Sequence, residues 1–332
     1  MLLLHPGVIA NLLASLIIAV MMLYSAFYGV QILRHWDIES GSELQLVLER
    51  KTYLVSTVLS YVFALQLLSL FMYVFTADNL HPLFVGAMCA AGTLNLNAFG
   101  YPTLLLKMFN FILAGVWLIL NHADNQGYDY PLIKKKYALL AVVAPLILIE
   151  ALLEFAYFLG LRADVITSCC GSLFSSEQGD GLGSDLAALP PGPMIWFFYG
   201  TVFVTLASGL YYYLRGKGGY FYSFASMVFF LTSIVSIISF ISLYIYELPT
   251  HHCPFCIVMS EYDYIGYLLY IALFIAAVAG VGIATLIPLR GIESLREVIP
   301  GLTRKLTMTS LVLFFGFASV VTYRIAASNL IM

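Results

Sequence analysis

The residues best equipped for chemistry lie at 250–257, THHCPFCI, where two histidines precede a Cys-x-x-Cys formed by Cys253 and Cys256. Two thiols at this spacing suit reversible dithiol–disulfide exchange. If the motif opens a helix, unpaired N–H groups and the helix dipole favour the thiolate of the first cysteine. Pro254 fits the first helical position, where a missing N–H costs nothing, so a helix is expected to start here. His251 and His252 would add positive charge or carry protons. A structural disulfide is the plainer alternative, and a weak staple because the loop it closes is so short. The same side chains, His251, His252, Cys253 and Cys256, are also ligands for zinc, copper(I) or mercury. Four ligands within six residues cannot readily all face one ion, so another loop would have to contribute.

Three more cysteines complete the five in the chain: Cys89, Cys169 and Cys170. Cys169 and Cys170 are adjacent, in a stretch rich in Gly, Ser and Pro at 162–193. Connections of that length are usually functional or flexible. A vicinal disulfide would be strained, so pairing of one partner with Cys89 or with the CPFC motif is expected, with one thiol of the five left over for attack. Cys89 sits in the small-residue segment LHPLFVGAMCAAGTLNLNAFGYP. This segment reads either as ordinary loop packing or as a short interfacial or re-entrant helix covering the site.

A membrane must position these groups. The 332 residues are 61% hydrophobic and 10% charged, whereas soluble domains carry about 25% charged residues. Runs of about 20 apolar residues are needed to cross the hydrocarbon core as a helix, and eight are present, at 8–33, 53–76, 103–121, 137–161, 194–214, 219–246, 264–288 and 306–328. The N-terminal run has no basic segment ahead of it and no small-residue cleavage site, so it is expected to be a retained span. The predicted fold class is all-α and polytopic.

Lys and Arg fall on one side of these spans. Arg34, Arg50, Lys51, Lys134, Lys135, Lys136, Arg215, Lys217, Arg290, Arg296, Arg304 and Lys305 lie in one set of connections; the other set holds only Arg162. The positive-inside rule puts the first set in the cytoplasm and both termini outside, in an inner (cytoplasmic) membrane. All five cysteines then face the extracytoplasmic side, where disulfide chemistry or metal ligation is favoured over simple packing.

The chain also divides into two four-span units, 1–162 and 194–332, separated by the Cys-Cys loop 163–193. Cys89 precedes Gly100-Tyr101 by eleven residues, and Cys256 precedes Gly266-Tyr267 by ten. Parallel repeats of four spans would preserve orientation; the alternative is coincidence in a Tyr- and Leu-rich chain.

The CPFCIVM segment leading into an apolar span resembles the active-site segment of quinone-linked membrane thiol oxidoreductases of the vitamin K epoxide reductase and disulfide-bond formation protein B type. The resemblance implies a dithiol at the outer membrane edge beside a quinone, with a second cysteine pair relaying electrons from a partner protein. It is confined to this segment: those families have fewer spans, and their second pair is spaced where Cys169-Cys170 is vicinal.

Four charged residues lie within the spans. Glu150 and Glu154 are one helical turn apart on one face, and Lys107 and Arg324 fall at a depth similar to Glu154. Carboxylates at membrane depth face a partner, a cavity or a proton path. Ion pairing of Glu154 with Lys107 or Arg324 is expected, and a proton relay serving the thiols is compatible with it. No histidine lies inside a predicted span, which argues against a bis-His haem in the bundle, and no nucleotide fingerprint or basic nucleic-acid surface is present.

Three function classes follow. The first is a membrane thiol–disulfide oxidoreductase that uses Cys89, Cys169, Cys170, Cys253 and Cys256 to move electrons between an extracytoplasmic thiol protein and a quinone. The second is a non-catalytic subunit of a larger membrane complex, with structural disulfides. The third is a soft-metal-binding transporter or chaperone.

Overall fold

A computed structural model describes residues 2–37, 40–167, 185–186 and 189–330. Among these residues there is no strand. The long helices are α1 (Pro6–His35), α2 (Glu43–Leu80), α4 (Gly100–Asp124), α5 (Ile133–Leu159), α6 (Pro191–Arg215), α7 (Gly219–Ser236), α9 (Ile265–Leu286) and α10 (Val298–Ala327). Two short ones, α3 (Ala90–Leu94) and α8 (Ser242–Tyr246), lie beside the candidate site. A π-helical turn, Ile237–Ile241, joins α7 to α8. All eight expected spans are present among the described residues, each as a helix long and apolar enough to cross a bilayer. The protein is an all-α, multi-pass membrane protein.

Several helices extend well past their apolar runs. Thus α2 starts at Glu43 and carries Glu49, Arg50 and Lys51 in its first turns, because these straight-chain residues are good helix formers that can remain helical outside the hydrocarbon layer. The side-chain pattern of α1 inverts that of a soluble protein. Asn11 and Ser15 are 1% and 5% exposed, while Val20 and Phe27 are 55% and 61% exposed. Lipid solvates the apolar face, and the polar groups seek partners inside.

The chain forms two compact units. The first comprises 1–76, 97–161 and 288–302. In it α5 packs on both α1 and α4, around a core that includes Met22, Phe63, Trp117, Tyr137 and Leu140. The connection from α4 to α5 is closed by a buried ion pair, Lys136 Nζ to Asp124 Oδ2 at 2.6 Å. Asp124 Oδ1 also accepts the Leu132 N–H at 2.7 Å. Lys136, grouped by sequence with the cytoplasmic connections, is therefore a buried residue in the first turn of α5.

The second unit comprises 77–96, 162–287 and 303–332. Here α7 packs against α6 and α9, and small residues set the spacing. Ser223 Oγ donates to Gly280 O at 2.7 Å, and Ser310 Oγ donates to Ala276 O at 2.9 Å. A Cβ on Gly280 would lie 2.5 Å from Ser226 Oγ and 2.6 Å from its Cβ. Close backbone approach through Gly and Ser is how membrane helices gain packing without a hydrophobic driving force. Gly280→Ala is therefore expected to destabilise the protein by about 1–3 kcal/mol, the usual range for overpacking. Thermal unfolding in detergent checks this, and an unchanged midpoint would contradict the packing described.

Candidate functional site

The long span of α7 and α8 ends at Tyr246, and α9 does not begin until Ile265. The intervening loop carries the CPFC motif. It does not open a helix: Cys253 lies in irregular chain, and Cys256–Val258 forms a single 3₁₀ turn. The expected helix-dipole activation of Cys253, with Pro254 at a first helical position, is thereby overturned. Glu247, Asp263 and Tyr264 all take left-handed φ values, of 55°, 53° and 53°. Such values are uncommon outside Gly and cost of order 1–3 kcal/mol each. Glu247 directly follows α8, and Asp263 and Tyr264 directly precede α9.

Cys89 is the residue preceding α3, whose five residues are all buried. Of the two sequence readings of this segment, the short helix is the one found. Asp78, near the end of α2, fixes the helix start by accepting the Ala90 N–H on Oδ1 at 3.2 Å.

These two loops bring three thiols together. The Sγ atoms of Cys89, Cys253 and Cys256 all lie within 4.8 Å of one another, and Cys89 Sγ is 3.5 Å from Cys253 Sγ. The residues are 0%, 0% and 6% exposed, and no disulfide links the three. His251 Nε2 lies 3.3 Å from Cys256 Sγ, with its ring edge-on to Tyr246 at 4.7 Å. Burial holds the His251 imidazole below the ordinary histidine range, Cys89 opposes that shift, and neighbouring His252 adds to it. This direction favours the neutral imidazole, in which one ring nitrogen keeps a lone pair.

His252 is turned away from this role. Its Nδ1–H donates to Ile238 O at 3.0 Å, a carbonyl within the π-helical turn, where the regular i→i−4 pattern is broken. Of the ligand set weighed from the sequence, Cys253 and Cys256 lie in the cluster with Cys89 from a second loop, His251 lies beside Cys256, and His252 Nδ1 faces Ile238 O. Cys169 and Cys170 lie outside the described residues.

Two tyrosines pin the motif's backbone, a feature that sequence reasoning missed. Tyr246 Oη donates to Cys253 O at 2.6 Å, and Tyr270 Oη donates to Pro254 O at 2.7 Å. The SLYIY aromatic cluster and the GYLLY start of α9 were visible in the sequence, but not that their hydroxyls converge on consecutive carbonyls. Gly266 completes the fit, because a Cβ there would lie 2.8 Å from the backbone of Ile257, next to Cys256. Tyr246→Phe is expected to weaken any ligand held by the thiols by about 10-fold, the lower end for losing an outer partner of a metal ligand. A zinc titration checks this, and full retention of affinity would show that the hydroxyl does not set thiol geometry.

The charged residues predicted within the spans fall in both units. In the first unit Lys107 Nζ lies 2.8 Å from Glu150 Oε1 and 3.0 Å from Glu154 Oε2. Arg324 belongs to the second unit, half-buried near the end of α10, and takes part in none of the ion pairs among the described residues. Lys107 therefore supplies the expected ion pair, and it does so to both carboxylates at once.

No family model, no curated protein and no solved structure matches this chain.

Proposed function

We propose that this protein is a soft-metal-binding membrane protein that holds a thiophilic divalent ion, zinc first among them, through Cys89, Cys253 and Cys256. The observation that carries the reading is the convergence of three buried Sγ atoms within 4.8 Å. A tetrahedral ion with sulfur ligands at about 2.3 Å keeps those sulfurs about 3.8 Å apart, so small side-chain shifts suffice. His251 Nε2, at 3.3 Å from Cys256 Sγ, is the nearest candidate for the fourth position. Reactive cysteines occupy electropositive, partly exposed places, and here the thiols are buried beside an imidazole that burial holds towards its neutral form. Charge favours a divalent ion: with three thiolates it leaves one net negative charge in the site, whereas copper(I) would leave two, and buried charge is costly.

The Lys and Arg distribution supports an orientation with this site at the extracytoplasmic face of an inner membrane. No cysteine lies in a predicted apolar run to pass an ion onward, so capture and hand-over to a partner, a chaperone's role, suits the chain better than conduction.

A second reading is favoured by one distance, the 3.5 Å between Cys89 Sγ and Cys253 Sγ. It is the thiol–disulfide chemistry that the CPFC resemblance implies. Cys253 and Cys256 would form a disulfide, giving two electrons and two protons to a quinone, which becomes a quinol. The Cys89 thiolate would then attack Cys253, releasing Cys256.

One experiment separates the two. Protein purified in nanodiscs without chelator is analysed for metals, and its thiols are trapped before and after chelation. Stoichiometric zinc, with three thiols becoming alkylatable only after chelation, is the expected result. A metal-free protein whose Cys253 and Cys256 are oxidised by added quinone would overturn the metal reading in favour of the second.

A further inference from the structure

The buried charge cluster of the first unit carries an inference independent of the thiols. Four helices contribute to it: Ser15 from α1, Gln66, Ser69 and Tyr73 from α2, Lys107 and Asn110 from α4, and Glu150 and Glu154 from α5. Lys107, Asn110, Glu150 and Glu154 are at most 1% exposed.

The hydrogen bonds around the two carboxyls are unequal. Lys107 directs Nζ to Glu150 Oε1, Glu154 Oε2 and, at 3.2 Å, Ser69 Oγ. This uses the three protons of an ammonium group. Glu150 accepts from Lys107 at 2.8 Å, from Gln66 Nε2 on both oxygens at 2.9 and 2.7 Å, and from Asn110 Nδ2 at 2.6 Å. Every hydrogen bond at Glu150 comes from an N–H donor, and both of its oxygens accept.

Glu154 is different. Its Oε2 meets Lys107 and the Ser15 hydroxyl, but its Oε1 is buried with no hydrogen-bond partner. Asn110 Oδ1 is likewise buried and without a donor. The titratable and charged groups of this environment are Lys107, Glu150 and the phenols Tyr73 and Tyr157. The Tyr73 ring lies 5.5 Å from Lys107 Nζ, and Tyr157 packs edge-on to Tyr73 at 5.5 Å. No second cation is among them. With both carboxyls ionised the cluster would hold one unbalanced negative charge in a low-dielectric interior, which is strongly unfavourable.

We infer that Glu154 binds one proton on Oε1, making the cluster a proton-binding site within the membrane span rather than a simple ion pair. A proton is favoured over a metal cation because the groups aimed at the carboxyls, from Gln66, Asn110, Lys107 and Ser15, are N–H and O–H donors that would repel a metal. The site gains or loses charge by one proton as Lys107 shifts between one and two ionised partners. It is a place in the first unit where a proton taken from one side of the bilayer can be held.

Infrared spectroscopy of the protein in nanodiscs tests this. The expected result is a protonated carboxylic C=O band at neutral pH that disappears in Glu154→Gln. Glu154→Gln, which mimics the protonated acid, should keep the wild-type melting temperature, whereas Glu150→Gln should lower it. Absence of the band in the wild type, or a band that survives Glu154→Gln, overturns the inference. A melting temperature raised by sodium but not by choline, with the band lost, would place a sodium ion there and overturn it equally.

Discussion

Exchange of Cys89 for serine is expected to lower zinc affinity by more than about 100-fold. Disturbing an outer partner of a metal ligand already costs about 10–100-fold, and a hydroxyl stays protonated where a thiolate would bind. Cys89 is the informative choice because it is 164 residues from Cys253 in sequence and joins the site only through the fold. The control is Met88→Ser, one residue away and 69% exposed, which should leave affinity unchanged. Competition with a chromogenic chelator reads both variants. If Cys89→Ser binds zinc as the wild type does, the three-thiol site is wrong and the two remaining cysteines act without it.

Replacing Lys107 by methionine is expected to cost about 3–5 kcal/mol of stability, the range for breaking a buried ion pair by removing one partner. The ammonium bridges two carboxyls at 2.8 and 3.0 Å; without it Glu150 is left ionised and uncompensated. The double variant Lys107→Met with Glu150→Gln should recover most of the loss, since the buried charge is then gone. The difference from additivity, measured by thermal or denaturant unfolding in detergent, is the coupling between the two groups. A single variant within about 0.5 kcal/mol of wild type, the scale of surface substitutions, would mean that the cluster is hydrated.

The spans were legible because bilayer crossing imposes a length and a composition on each segment. No comparable rule covers the loops. The helix expected at Cys253-Pro254 rested on local capping signals, which do not decide the path of a loop whose ends, Glu247, Asp263 and Tyr264, are left-handed. The pairing of Lys107 with Glu154 was foreseeable from their similar depth. That Glu150 shares the same ammonium depends on the facing of α4 and α5, which a one-dimensional count of depth does not contain. Lys136 reads as one more cytoplasmic charge, and only packing against Asp124 buries it.

By itself, the sequence determined an all-α membrane protein with eight spans, cysteines set in its connections and a few charges within its helices. Hydrophobic length is a property of each segment alone, so it survives without knowledge of neighbours. The tertiary structure decided which groups meet: Cys89 with Cys253 and Cys256, His252 with a π-turn carbonyl, and one lysine with two carboxylates. Such encounters depend on how separate helices end, face and pack. Donor sets and charge balance are sums over neighbours in space, and no single segment carries them.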